Sequence, residues 1–488
     1  MGTVPNFIMI SKKDLKRIDN LIWEIPKSYR SDMNVPARLF ASVDLLMEIL
    51  PDKSLEQLIN ITTLPGIQLF AAAMPDIHQG YGFPIGGIAA FDLQKGIISP
   101  GGIGYDINCG VRLLTSQILF RDFQEKTKIV ADLLFQKIPS GVGVSGVIKL
   151  DKKSLQGVLT KGAAWVVEKG YGEGADLQFL ESEGHLSDAD PACVSQHAKE
   201  RGSKQLGSMG AGNHFVEIDC VDEIYDKNVA ATFGLFKNQI TVLIHCGSRG
   251  LGHQVATDYI RIMLNNLSKY QINLVDRELS CAPFSSKEGN NYFRAMTASA
   301  NFAWANRQII TASLREIWQK VFAKSESLKI LYDISHNIAK IENHQVNGHV
   351  KKLLVHRKGA TRAFGPHHQE LPASYKKTGQ PVIIPGSMGS YSFVLVGQEQ
   401  ASYLSFGSSC HGAGRRMSRK KALKEFNGVN LIRDLKMKNI TVMAGSVREV
   451  AEEAPLAYKD IDQVINVVDQ VGIAKKVARL KPLIVVKG

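Results

Sequence analysis

The chain has 488 residues, 44% hydrophobic and 22% charged, an ordinary globular composition with room for a large core or for two to three domains. Its longest apolar runs, such as residues 240–244, fall far short of the ~18–20 residues a membrane span needs, which excludes a membrane-spanning helix as an expectation. A net charge of +13 favours a polyanionic partner, because each phosphate contact releases counterions and adds affinity.

At the N-terminus the apolar patch Phe7 to Ile10 precedes Lys12, Lys13, Lys16 and Arg17. An export leader has its charges first and a longer apolar region after them. Asn6 stands where the Met-Gly acylation motif wants Ser or Thr. The chain is therefore expected in the cytoplasm. Its six cysteines, at 109, 193, 220, 246, 281 and 410, form no CxxC pair and are expected as reduced thiols. Cys193, Cys220 and Cys281 read as core residues, leaving one or two of the others as ligands.

Apolar periodicity predicts helices over 42–50, 123–136, 301–322 and 461–477. Strand-like runs cover 87–91, 240–244, 330–332, 381–384, 392–396 and 483–486. No repeat, low-complexity tract or Pro/Ser-rich linker divides the sequence. Several strand-like runs lead into polar residues beside glycine or serine: 240–244 into His245-Cys246-Gly247-Ser248, and 330–332 through Asp333 and Ser335 into His336. Rigid scaffolds commonly present chemistry at such strand ends. Because these positions extend from residue 76 to residue 487, one composite site is expected. That predicts a single large α+β domain over 1–488, with mixed and antiparallel sheets and surrounding helices. Residues 1–35 form an N-terminal extension, and neither it nor residues 259–300 carry a motif.

The densest segment is Ser99-Pro-Gly-Gly-Ile-Gly-Tyr-Asp-Ile-Asn-Cys-Gly110. Its glycines permit a tight loop around an ion or phosphate. Asp106 and Cys109, three apart, can aim a hard oxygen and a soft thiolate at one point, a mixture suited to transition metals. Alone, the segment is equally an ordinary Gly-rich turn with a buried cysteine. Gly210-Ala-Gly-Asn-His-Phe-Val-Glu217 follows; a strand would put Asn213, Phe215 and Glu217 on one face and His214 on the other. If Asn213 and His214 share a site, the segment turns there. His245 and His336 complete a candidate ligand set, although a single histidine is more often a core or surface residue. Ser408-Ser-Cys-His-Gly-Ala-Gly-Arg-Arg-Met-Ser-Arg-Lys-Lys421 places His411 before a basic segment. A helix over 414–425 would offer an anion site at its N-terminus, and His411 could attack phosphorus; the bland alternative is a solvated basic helix. No GxxxxGK[ST] or KxDG motif is present, and Gly247-Ser-Arg-Gly-Leu-Gly252 matches no nucleotide fingerprint.

Seven motifs in order resemble the RtcB family of RNA-splicing and repair ligases. They are Met74-Pro-Asp-Ile-His-Gln-Gly-Tyr-Gly-Phe83, the 99–110 segment, Gly-Asn-His-Phe-Val-Glu217, His-Cys-Gly-Ser-Arg249, Ser-His-Asn337, Pro-Gly-Ser-Met-Gly389 and His-Gly-Ala-Gly-Arg415. The likeness extends from about residue 35 to the C-terminus. It implies a site for two Mn²⁺ ions held by Asp106, Cys109, His214, His245 and His336, with the Cys109 thiolate bridging. One ion would take Cys109, His245 and His336, the other Asp106, Cys109 and His214. His411 matches the family's guanylylated histidine. Asn213, Phe215, Glu217, Ser387, Ser392, Ala413, Gly414, Tyr458 and Lys487 match positions that contact the guanine nucleotide. Asp76 matches another motif carboxylate, with a supporting role that the resemblance does not define.

The implied activity is GTP-dependent joining of an RNA 3′-phosphate or 2′,3′-cyclic-phosphate end to a 5′-hydroxyl end, in tRNA splicing or RNA repair. Broken RNA and tRNA halves are the implied substrates, and an archease-type activating protein an implied partner. A metal-dependent RNA-end phosphoesterase, an enzyme that stops after GMP capping, and a non-catalytic RNA-binding scaffold are the alternatives.

Overall fold

The computed structural model describes residues 10–323 and 326–488. The leader and acylation readings, which turn on Asn6 and the patch from Phe7, rest on residues 1–9 and so lie outside the described residues.

Two large sheets carry the motif segments. The first has the order β1(Lys16–Asp19), β2(Ile22–Ile25), β3(Ala37–Phe40), β4(Ile67–His78), β5(Ile85–Asp92), β13(His349–Lys358), β12(Asn337–Val346). Its pairs are antiparallel except β3 with β4. Residues 16–25 of the N-terminal extension thus form its edge. The second sheet has the order β11(Lys329–Ser335), β7(Gly110–Leu119), β9(Gln239–Cys246), β8(Phe215–Ile224), β19(Ala474–Lys487), β16(Ser392–Gly397), β15(Pro381–Ile384), with β18(Thr441–Ala444) parallel to β19. Short pairs β6(Ile97–Ile98)–β10(Ala282–Pro283) and β14(Ala360–Arg362)–β17(Ser408–Cys410) close loops between them. The chain is α+β, one large domain with antiparallel and mixed sheets.

The expected helices form, with boundary corrections; the 123–136 pattern is split into a short helix Phe120–Phe123, a 3-10 turn Gln124–Lys126 and the helix Thr127–Lys137. The 301–322 pattern belongs to a 35-residue helix, Lys287–Val321, capped by Ser286, whose side chain accepts from Gly289 N. Its first half hides Ala295, Thr297, Ala298 and Ser299, small residues that pack tightly without giving an apolar period. The 461–477 pattern breaks at Val471, where Gly472 takes a left-handed conformation (φ 82°), and residues from 474 onward enter β19. Residues 414–418 are not helical; the basic helix begins at Arg419 behind the Ser418 cap. Among the described residues no helix is long and apolar enough to cross a membrane.

β19 lies inside the second sheet, paired to β8 on one side and to β16 and β18 on the other. Leu483, Ile484, Val485 and Val486 are buried. At ~1.5–3 kcal/mol per buried aliphatic side chain, these four tie down a segment that would otherwise fray. The long helix packs beside β9 and the β6–β10 pair, burying Trp304 and Trp318 together with Asn306, Arg307 and Gln308.

Candidate active site

Strand register assembles the first half of the site. β7 lies between β9 and β11, with Gly110 opposite both Cys246 and Ser335. Cys109 immediately precedes β7, His245 is the next-to-last residue of β9, and His336 immediately follows β11. Three neighbouring strand ends therefore meet, and His336 N donates to Cys109 O at 2.9 Å. Asp106 is brought in by a turn closed by Cys109 N to Asp106 O (3.0 Å), with Asn108 left-handed at φ 52°. His214 stands one residue before β8, and the 210–217 segment turns at Gly212-Asn213, just ahead of it. Gly247 is required by close approach: a Cβ there would lie 2.4 Å from both Asp106 carboxylate oxygens.

The donor atoms converge. Cys109 Sγ is 3.3 Å from His214 Nε2 and 3.3 Å from His245 Nε2, and His245 Nε2 is 3.2 Å from His336 Nε2. His214 Nε2 is 2.7 Å from Asp106 Oδ2. Cys109, His245 and His336 form one cluster that could hold a metal ion, and Asp106, Cys109 and His214 a second, with Cys109 shared. Nitrogen and sulfur donors ~2.0–2.3 Å from a tetrahedral cation stand roughly 3.3–3.6 Å apart, close to the Cys109–histidine and His245–His336 separations, whereas 2.7 Å between His214 and Asp106 is a hydrogen-bond length. Burial, reinforced by the neighbouring histidines, holds His245 and His336 well below the usual imidazole range, leaving neutral rings with lone pairs to offer. Burial opposes ionisation of Asp106, but His214 beside it holds the carboxyl below its ordinary value. Burial and the Asp106 charge push the Cys109 thiol well up, so a cation is what would stabilise its thiolate.

The second half is a cavity of about 550 Å³, within the usual range for small-molecule sites. Asn213, Phe215, Glu217, Ser387, His411, Ala413, Gly414, Tyr458 and Lys487 line it, with His245 linking it to the donor cluster. Ser392 lies behind the wall, its Oγ donating to Glu217 Oε1 (3.3 Å). Burial and the adjacent Asp219 push the Glu217 carboxyl well up. Lys487 Nζ donates to Gly212 O at 2.7 Å and lies 6.0 Å from the Phe215 ring centre.

His411 follows β17, its ring 5.0 Å from that of His336. Asp76, whose role the sequence left open, is fully buried beneath it. Its Oδ2 accepts from His411 Nδ1 (2.7 Å), His411 N (3.1 Å) and Gly412 N (3.3 Å). A carboxylate accepts only, so Nδ1 carries a proton, and in the neutral ring Nε2 is the nitrogen with the lone pair. Gly414, at φ 73°, lets the loop press on this support: a Cβ would lie 2.1 Å from Asp76 O.

Sequence reasoning missed several cavity residues. Glu453 is buried and gathers Arg415, Arg419 and Tyr458. Arg415 therefore faces Glu453 while Arg416, Lys420 and Lys421 are exposed. Burial opposes ionisation of Glu453, but Lys487, Arg419 and Arg415 bring it down to about 2. Nothing in its local sequence marked it. His78, by contrast, lines the cavity from a motif already singled out. Cys220 and Cys281 are buried, whereas Cys193 is only half-buried because its loop turns Sγ toward Asp190.

Comparison with known proteins matches residues 57–488 to the family described as tRNA-splicing ligase RtcB. A tRNA-splicing ligase RtcB of Thermococcus kodakarensis is 52% identical over 97% of this chain and 99% of its own length. One of Archaeoglobus fulgidus is 51% identical over 97% and 99%, and one of Methanococcus maripaludis 49% identical over 98% and 100%.

Proposed function

The chain belongs to the RtcB ligase family, and from that premise we propose that it is a GTP- and Mn²⁺-dependent RNA ligase joining 3′-phosphate or 2′,3′-cyclic-phosphate ends to 5′-hydroxyl ends. The observation that carries the reading is His411, held by Asp76 through Nδ1, with Nε2 free, on the wall of a cavity that reaches the donor cluster. In this reading Nε2 attacks the α-phosphorus of GTP; the P–N bond forms as pyrophosphate leaves. The RNA 3′-phosphate oxygen then takes the GMP and frees the histidine. The 5′-hydroxyl oxygen attacks the activated phosphorus, its proton is lost, and GMP departs as the phosphodiester forms. A cyclic end is first opened by water, whose oxygen adds to phosphorus as the P–O2′ bond breaks, leaving a 3′-phosphate and a 2′-hydroxyl.

Asp76 balances the positive charge that develops on the His411 ring as the P–N bond forms. The wall supplied by Asn213, Phe215, Glu217, Ser387 and Tyr458 would seat guanine and ribose, and Lys487 and the 411–416 loop would face the phosphates. Asp106, Cys109, His214, His245 and His336 would hold two Mn²⁺ ions, which supply Lewis acidity toward phosphoryl oxygens. The mixed N/O/S donors suit such an ion better than magnesium.

Spliced tRNA halves or broken RNA ends would be the substrates, in the cytoplasm, with an archease-type protein as activator. The setting of His411, oriented by Asp76 on the wall of a cavity large enough for a nucleotide, favours a ligase over a metal-dependent phosphoesterase, which transfers no nucleotide to a histidine. Incubation with α-labelled GTP and Mn²⁺ tests this. Acid-labile label should appear on the wild-type chain and be absent from His411→Ala, which keeps its metal; label on the alanine variant would reject His411.

A further inference from the structure

Behind the donor cluster the long helix Lys287–Val321 presents Arg307, fully buried. Its guanidinium spends all five N–H donors. Nε and Nη2 donate to Asp333 Oδ2 and Oδ1, each at 2.8 Å. Nη1 donates to Asn108 O (2.9 Å) and to Cys246 O (2.7 Å), and Nη2 also reaches Asn108 Oδ1 (3.3 Å). These acceptors are not scattered. Asn108 precedes Cys109, Cys246 follows His245, and Asp333 lies on β11, the strand that delivers His336. Asn108 Oδ1 also accepts from Ser335 Oγ, next to His336. One rigid plane therefore binds the backbone next to Cys109 and next to His245 and, through the Asp333 side chain, the strand that leads to His336.

We propose that Arg307 is a positioning residue that sets the spacing of the Cys109–His245–His336 ion site. A flat guanidinium holds its acceptors at fixed mutual angles, which a lysine ammonium, with three donors on a flexible stem, cannot do. Groups that orient metal ligands from behind typically affect metal affinity by ~10–100-fold. The proposal rests on reading the two donor clusters as the metal centre.

The molecule contains an internal control. Arg112, equally buried, also donates to Asp333 Oδ2 (2.8 Å), but its other contacts are Gln308 Oε1 (2.6 Å) and Thr311 Oγ1 (2.9 Å), away from the ligand loops. In Arg307→Met the Asp333 carboxylate keeps Arg112, and in Arg112→Met it keeps Arg307. Arg307→Met loses five hydrogen bonds and Arg112→Met three, so both are compared in the folded state, and only the first touches the donor loops.

The test is Mn²⁺ binding to the full-length chain by equilibrium dialysis, with Co²⁺ as a second probe, since cobalt–thiolate absorption reports the Cys109 surroundings. Thermal melts of each variant establish that it is folded. Wild type should bind two ions. Arg307→Met should weaken one of them ~10–100-fold and alter the cobalt–thiolate band. Arg307→Lys, which retains the charge and is the more certain to fold, should fall between. Arg112→Met should bind both ions like the wild type. Equal losses in Arg112→Met and Arg307→Met would reduce Arg307 to core packing, and wild-type binding by both Arg307 variants would overturn the proposal outright. Failure of the wild type itself to bind two ions would instead reject the metal-centre reading on which the proposal stands.

Discussion

Replacing Asp76 isolates the support of His411 from the rest of the site. In Asp76→Ala, three donors that converge on Oδ2 (His411 Nδ1, His411 N and Gly412 N) lose their acceptor in a buried place. Orphaned buried donors cost ~1–3 kcal/mol each, partly relieved by water entering the space left, so a net loss of about 2–4 kcal/mol in stability is expected. The catalytic loss should be larger. Without the carboxylate, the Nδ1 proton is no longer fixed and the ring charge developing during phosphoryl transfer is uncompensated. In the Ser-His-Asp arrangement, neutralising the orienting aspartate lowers turnover ~10⁴-fold. A loss of roughly 10²–10⁴ in the guanylylation rate is expected here by the same logic. Asp76→Asn is the sharper variant. One oxygen can still accept from Nδ1, but the amide NH₂ falls where Oδ1 now stands, a buried atom with no hydrogen-bond partner. It should fold nearly as well as the parent yet label far more slowly. The assay is single-turnover label transfer from α-labelled GTP, alongside Mn²⁺ binding, which should not move because Asp76 belongs to neither donor cluster. Guanylylation of Asp76→Ala at the wild-type rate would refute the reasoning.

Two further outcomes follow from the same geometry. Lys487→Ala removes a buried ammonium from the cavity wall while Glu453 keeps Arg415 and Arg419; GTP use should weaken about 10-fold or more with a melting temperature within a few degrees of wild type, and unchanged guanylylation kinetics would return Lys487 to a structural role. Cys109→Ser should cost folding only ~1–2 kcal/mol as a small buried substitution, yet lose most bound Mn²⁺ and all measurable ligation, whereas Cys193→Ser, Cys220→Ser and Cys281→Ser should stay active; full ligation by Cys109→Ser with two ions bound would remove the bridging thiolate.

Much of the site was legible because its residues cluster in short motifs at strand ends, where polar side chains interrupt apolar runs. Asp106 and Cys109, for example, lie three apart and meet through a single turn. The pairing that brings His245 and His336 to the same place was not legible: it depends on β7 lying between β9 and β11, a long-range register that periodicity does not encode. The supports were hidden for a related reason. Asp76 and Glu453 act on residues 335 and 38 positions away in sequence. Arg307 sits inside a segment that reads simply as helix, and Asp333 stood out only as a polar residue on the way to His336, since a fully paired buried charge leaves no local pattern of its own. The helix considered over 414–425 is shorter than that, because Gly414 takes a left-handed conformation that turns the chain onto Asp76, and the helix begins only at Arg419.

The most direct test of the proposed activity follows the nucleotide through a full cycle. The wild-type chain is loaded with α-labelled GTP and Mn²⁺, freed of unbound nucleotide, and chased first with a 3′-phosphate RNA and then with a 5′-hydroxyl RNA. The label is expected to leave the protein for the RNA end, and to be released as GMP as the two strands become one. Joined strands with no label ever on protein or RNA, or RNA ends that lose their phosphates without joining, would contradict it.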